Sequence, residues 1–225
     1  MSNVMNERSK KQNDKTIEHY LKAAEAGNAE AQYILGACYE YGKNVARDDT
    51  KAVAWYSKAA EQGHARAQVR LGDCHSLGHG GIADPIKAVE YYRAAAEQGN
   101  AEGQLWLGYS YLEGEGVEKD ASQAAEWFAK AAAQGEPEAQ WCLGNCYFFG
   151  EGVTQNQSKA VELYTLAAEQ GEVQAQLKLG ACYALGHGTP VSVVKAIEWL
   201  TKARSSRMGA QSLAVEVFKA NPIDD

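Results

Sequence analysis

Along residues 29–41, AEAQYILGACYEY, small or apolar residues return at Ala31, Leu35, Cys38 and then Gly42, in steps of 4, 3 and 4 that share one face of an α-helix. Residues 50–62, TKAVAWYSKAAEQ, carry a second stripe at Ala52, Val53, Tyr56, Ala59 and Ala60. Gly63 follows its last turn, where a residue at positive φ ends a helix at little cost. The connection between such stretches is short and turn-like, as in GEGVEKDAS at 114–122. The pattern predicts a helix–turn–helix unit.

The unit repeats. Leu-Gly occurs at 35–36, 71–72, 107–108, 143–144 and 179–180, a step of 36 residues each time. The same step links Gly27, Gly63, Gly99, Gly135 and Gly171, and again Gly42, Gly78, Gly114, Gly150 and Gly186. A glycine inside a helix costs about 1 kcal/mol relative to alanine, so Gly36 and its equivalents predict a neighbouring helix too close for a Cβ. Two helices per copy, each with a stripe too broad for one partner, predict an all-α solenoid. Residues 14–26, DKTIEHYLKAAEA, match only the second helix; residues 208–220, MGAQSLAVEVFKA, match a degraded first helix, with Val215 near the glycine position. The predicted organisation is a disordered polar N-terminus at 1–13 and one domain at 14–220, followed by a tail at 221–225. The domain comprises a cap helix 14–26, repeats 29–63, 65–99, 101–135, 137–171 and 173–206, and a cap helix 208–220.

The string A-Q-x-x-L-G-x-x-Y-x-x-G-x-G-V, followed by K-A-x-x-W-Y-x-K-A-A-E-Q-G, resembles the Sel-one-like repeat family, a relative of the tetratricopeptide repeats. The tetratricopeptide pattern is present as Leu35-Gly36 and Tyr39, then Ala52 and Tyr56. The resemblance covers about residues 14–220. It implies a right-handed α/α superhelix and a non-catalytic adaptor or scaffold. It also implies that the first helix of each repeat lines a concave groove in which a partner docks.

Charge narrows the partner. The formal net charge is −7, and no Lys/Arg run goes beyond Lys10-Lys11, which argues against nucleic acid and anionic membrane. There is no run of 18 apolar residues to span a bilayer. The N-terminal MSNVMNERSKKQNDK has no apolar core of a secretory signal, so a cytoplasmic location is expected; the chain is separately expected to be a monomer. Five cysteines, an odd number, fit reduced thiols.

Candidate chemistry reads as structure at most positions. Cys142 and Cys146 are four apart, but Cys146 holds the repeat position of Cys38, Cys74 and Cys182, with Ser110 in the third copy. His75 replaces the repeat tyrosine and His79 lies in the following loop. The Gly-x-Gly loops follow helices and lack the residues of a phosphate loop. Some cysteine-rich relatives bridge each repeat with two cysteines; one repeat thiol per copy does not carry those bridges over. Some have been labelled β-lactamase, and the one S-x-x-K here, Ser192 to Lys195, lacks its companion motifs. No cofactor or metal is expected. Two other classes stay open: a hydrolase or binder of β-lactam or peptidoglycan-type substrates, and a thiol- or zinc-dependent regulator through Cys142 and Cys146.

Residues that differ between copies are free for recognition. On the first helices these give Glu30, Tyr33, Glu40 and Tyr41; Arg66, Asp73 and Leu77; Glu102, Tyr109 and Glu113; Glu138, Trp141, Asn145, Phe148 and Phe149; and Gln174, Leu177 and Leu185. The expected binding site is a hydrophobic pocket around Tyr109, Trp141, Phe148 and Phe149, rimmed by carboxylates. It would take a peptide or helix of another protein with an apolar anchor and basic flanks. The competing reading has Phe148 or Phe149 packing on the neighbouring helix.

Overall fold

The computed structural model describes residues 17–205. The expected polar segment 1–13, the start of the helix at 14–26, the cap helix 208–220 and the tail lie outside the described residues. Helix α1 spans 17–25. Ten helices follow: α2 Ala29–Tyr41, α3 Asp49–Glu61, α4 Ala65–Leu77, α5 Pro85–Glu97, α6 Ala101–Glu113, α7 Ala121–Ala133, α8 Pro137–Phe149, α9 Gln157–Glu169, α10 Val173–Leu185 and α11 Val193–Ser205. Among the described residues every regular element is helical. The helices group into two compact units divided between Lys119 and Asp120, with α1–α6 in the first and α7–α11 in the second.

The turns are set by capping. Gly42 is not on the face of α2 but just past its end, at φ 64, with its N–H donating to the Cys38 carbonyl. Gly78, Gly114, Gly150 and Gly186 close the other first helices in the same way. The second helices open on Asp48, Asp84, Asp120 and Asn156, whose side chains accept backbone N–H groups of the first turn. The loop's second glycine has a different job. Gly152, at φ 70, would place a Cβ 2.0 Å from the carbonyl oxygen of Ala121, at the start of the preceding second helix. Gly116 over Pro85 and Gly188 over Gln157 repeat that approach, and in the first copy Asn44 adopts the left-handed conformation at φ 63.

The helix-interior glycines face rings. A Cβ on Gly36 would lie 2.5 Å from the Tyr56 ring, on Gly72 2.5 Å from Tyr92 and on Gly144 2.6 Å from Tyr164. On Gly180 it would meet Leu200 at 2.8 Å. The close approach is thus made by one large side chain of the following helix. Alanines such as Ala59, Ala67, Ala167 and Ala175 are fully buried around these rings.

Each of the five first helices buries a glutamine, and those at 32, 68 and 140 tie neighbouring layers. Gln32 Nε2 donates to the Ala24 carbonyl at 3.0 Å, while its Oε1 accepts from Gln62 at 2.7 Å. Gln68 repeats this with Ala60 and Gln98, and Gln140 with Ala132 and Gln170. Each of these amides joins the second helix before it to the one after it. A buried amide left unpaired would cost about 1–3 kcal/mol, so the pattern fixes register as well as contributing stability.

Candidate functional site

The first helices carry a stripe of residues that the repeat core does not absorb. On α6 it reads Glu102, Trp106, Tyr109 and Glu113, in steps of 4, 3 and 4. Its last position recurs as Tyr41, Leu77, Phe149 and Leu185, with exposures of 63%, 66%, 55% and 39%. Large apolar side chains at the same exposed place in four of five repeats are not accounted for by packing.

In the first unit this surface mixes aromatic rings with charge. The Tyr33 ring stacks on His64 at 5.0 Å, and the Arg66 guanidinium lies over it at 4.6 Å. His64 Nε2 is 2.8 Å from Glu30. The Tyr56 hydroxyl donates to Glu40 at 2.5 Å and the Tyr92 hydroxyl to Asp73 at 2.9 Å. Arg70 pairs with Asp73 at 2.9 Å and feels the charges of Glu102 and Glu40. Burial pushes the Asp73 carboxyl up, while its bonds to Tyr92 and Arg70 pull it back. Glu102 and Glu113 are exposed, and Tyr109 is half-buried with its ring 5.7 Å from Trp106.

The second unit presents a different picture. Phe148 is half-buried against the Tyr164–Leu179 core, with its ring 5.0 Å from Phe149 and 5.7 Å from His187. Trp141 also packs on that core, and its indole N–H is buried without a partner among the described residues. Phe149 is exposed, with Lys178 Nζ 5.7 Å from its ring centre. Asn145 accepts the Tyr164 hydroxyl at 2.7 Å, and Glu138 is half-buried.

Three features of these placements bear on the expected site. First, of the residues expected to line the pocket, Tyr109 lies in the first unit and Trp141, Phe148 and Phe149 lie in the second. Second, Trp141 and Phe148 are packing residues in large part, because their rings complete the core, and Phe149 alone of the three is freely exposed. Third, residues that differ between repeats are not all free for recognition. Asp73 and Asn145 differ because each accepts a buried tyrosine hydroxyl. Where the second helix holds Phe128 or Leu200 and no hydroxyl needs an acceptor, the first helix has Tyr109 or Ala181.

Trp106, Arg70 and Lys178 were missed, though all occupy one repeat position. The signal was available: the 4, 3, 4 spacing through Glu102, Tyr109 and Glu113 passes through Trp106.

The remaining chemical candidates have structural partners. All five cysteines are buried and unbridged, and burial pushes the thiols of Cys38, Cys74, Cys146 and Cys182 up, Cys74 to about 12 and Cys146 and Cys182 to about 11. Among the described residues no group of three His, Cys, Asp or Glu side chains is arranged to hold a metal. Ser192 Oγ accepts the Lys195 backbone N–H at 3.4 Å, and Lys195 lies 5.0 Å over Tyr183. No helix among the described residues is long and apolar enough to cross a membrane.

The Sel1 repeat model matches six times, at residues 7–28, 29–64, 65–100, 101–136, 137–172 and 173–206. The chain belongs to the Sel1 repeat family. A Sel1 repeat protein from Oxalobacter formigenes is similar at 33% identity and TM-score 0.82, over 96% of this chain and 87% of that one. A protective antigen of uropathogenic Escherichia coli strains with an SLR fold is similar at 36% identity and TM-score 0.79, over 83% of this chain. The match spans 40% of that longer protein. An immunity protein from Pseudomonas aeruginosa, at 23% identity and TM-score 0.55, shares the fold over 84% of this chain and 72% of its own. No curated protein matches. Sel1 repeat proteins generally serve as protein-interaction scaffolds and are generally non-enzymatic.

Proposed function

We propose that this Sel1 repeat chain is a non-catalytic adaptor that docks an extended or helical segment of a partner protein across its first helices. The observation that carries the reading is the exposed apolar side chain at one repeat position, Tyr41 and Leu77 in the first unit and Phe149 and Leu185 in the second. Water contact with such side chains is relieved when a partner's apolar group covers them, at about 25 cal/mol per Å² buried. Carboxylates at Glu40, Asp73, Glu102, Glu113 and Glu138, on a chain of net charge −7, favour basic residues flanking that apolar anchor. The five unbridged thiols support a reducing compartment such as the cytoplasm.

Selection from a displayed random-peptide library tests the proposal. Enriched peptides are expected to combine an apolar anchor with Lys or Arg. They should lose binding to the variant Tyr41→Ser/Leu77→Ser/Phe149→Ser/Leu185→Ser, whose thermal unfolding should stay close to that of the parent. Equal binding to parent and variant, or enrichment of acidic peptides, would overturn the reading.

A further inference from the structure

The chain covers several of its half-buried rings with its own cations. Lys58 lies over Trp55 at 4.2 Å, Lys130 over Trp127 at 3.6 Å and Lys202 over Trp199 at 4.1 Å. On the first helices Arg66 covers Tyr33, and Lys178 approaches Phe149. Two exposed rings, Tyr41 and Trp106, lack such a cation among the described residues, and the indole of the two is Trp106. It is 36% exposed, the most open indole of the described residues, and no lysine or arginine among them lies over it.

The surroundings of Trp106 are built for a cation. Its ring lies 6.1 Å from the buried Tyr92 and 5.7 Å from Tyr109, so two aromatic neighbours hold it in place. Glu102 sits one turn before it on the same helix face, and Glu113 one turn after Tyr109, both exposed. The adjacent repeat shows how a guanidinium rests on this surface. Arg70 holds the repeat position of Trp106, is paired with Asp73 at 2.9 Å, and interacts electrostatically with Glu40 and Glu102. Three carboxylates thus surround one resident arginine, leaving two negative charges in excess. A partner carboxylate would enter against that excess.

We propose that the first unit takes a single arginine side chain of the docked partner, its guanidinium plane stacked on the open face of Trp106 and its charge met by Glu102. Arginine fits better than lysine because a planar, weakly hydrated cation stacks on an indole and still donates sideways to a carboxylate. This rests on the docking reading above and names what the first unit reads in that partner.

The probe is a set of positional-scanning nonapeptide libraries in which one position is fixed as arginine, lysine, citrulline or glutamate. Citrulline keeps the planar shape and removes the charge. Retention is measured on the full chain and on Trp106→Ala, Trp106→Phe, Glu102→Gln and Leu77→Ser. At one or more positions, arginine libraries should be retained about 3- to 30-fold better than citrulline ones, the range spanned by exposed to desolvated cation–π pairs. Trp106→Ala should erase that preference, Trp106→Phe should restore part of it, and Glu102→Gln should weaken it and flatten its salt dependence. If citrulline is retained as well as arginine, or Trp106→Ala keeps the preference, the arginine site is overturned. If Leu77→Ser abolishes retention in that case, the docking reading survives alone. If no library is retained by the parent chain, both fall.

Discussion

Replacing Gly144 by alanine separates two opposing effects of known size. Alanine is worth about 1 kcal/mol over glycine in a helix interior, so propensity alone predicts a more stable protein. Against this, the new Cβ would lie 2.6 Å from Cε1 and 2.8 Å from Cδ1 of Tyr164. That ring is fully buried and its hydroxyl is tied to Asn145 at 2.7 Å, so it has no free direction in which to move. Overpacking a filled core costs about 1–3 kcal/mol, and breaking the hydroxyl's bond adds about 1. The expected net effect is a loss of about 1–3 kcal/mol. In a Tyr164→Ala background, itself costing about 3–5 kcal/mol, the clash is gone and Gly144→Ala should become neutral or stabilising by up to about 1 kcal/mol. Urea unfolding followed by far-ultraviolet circular dichroism gives the overall loss. Amide exchange in α8 and α9 shows whether it is confined to that helix pair, as near-independent repeats predict. A rise in the urea midpoint for Gly144→Ala with Tyr164 intact would refute the claim that the ring selects the glycine.

Two further outcomes follow from backbone and titration. Gly152→Ala brings a Cβ 2.0 Å from a backbone oxygen at φ 70, whereas Gly135→Ala at φ 90 meets open space. The second should cost about 1–2 kcal/mol of left-handed strain and the first clearly more, read as the difference between their urea midpoints. Burial raises the thiols of Cys74, Cys146 and Cys182 above their ordinary 9.0, to about 12, 11 and 11, and raises the Tyr56, Tyr92 and Tyr164 hydroxyls too. The folded state then holds these protons more tightly than the unfolded chain. The contribution to stability is complete below about pH 9 and is lost as pH climbs through 11 to 12. Urea midpoints should fall between pH 8 and 10.5, and less steeply for Cys74→Ala/Cys146→Ala/Cys182→Ala.

The repeat was legible because it needs the same residues in the same places: leucine and alanine to bury, glycine to accept a ring or a left-handed turn. The glutamine ties were invisible to hydrophobic periodicity, since Gln32 and its equivalents are polar yet buried. The candidate surface was only half legible, for a physical reason. A difference between copies reads as freedom, but Asp73 and Asn145 differ because they answer a tyrosine on another helix. Trp141 and Trp106 look alike in the sequence; one position along the helix turns the first into the core and leaves the second open.

The glutamine ties also set rules for rebuilding the array. The amides of Gln32, Gln68 and Gln140 reach 8 residues back for a carbonyl and 30 residues ahead for a donor, as Gln32 does with Ala24 and Gln62. A cassette copied, deleted or transplanted at the 36-residue pitch returns each reach to an equivalent atom, whatever its groove residues. Cut at any other length, it strands an amide in the dry interior. The molecule can therefore change how many segments it reads without relearning how to fold, and new recognition surfaces can arise by unequal exchange between layers.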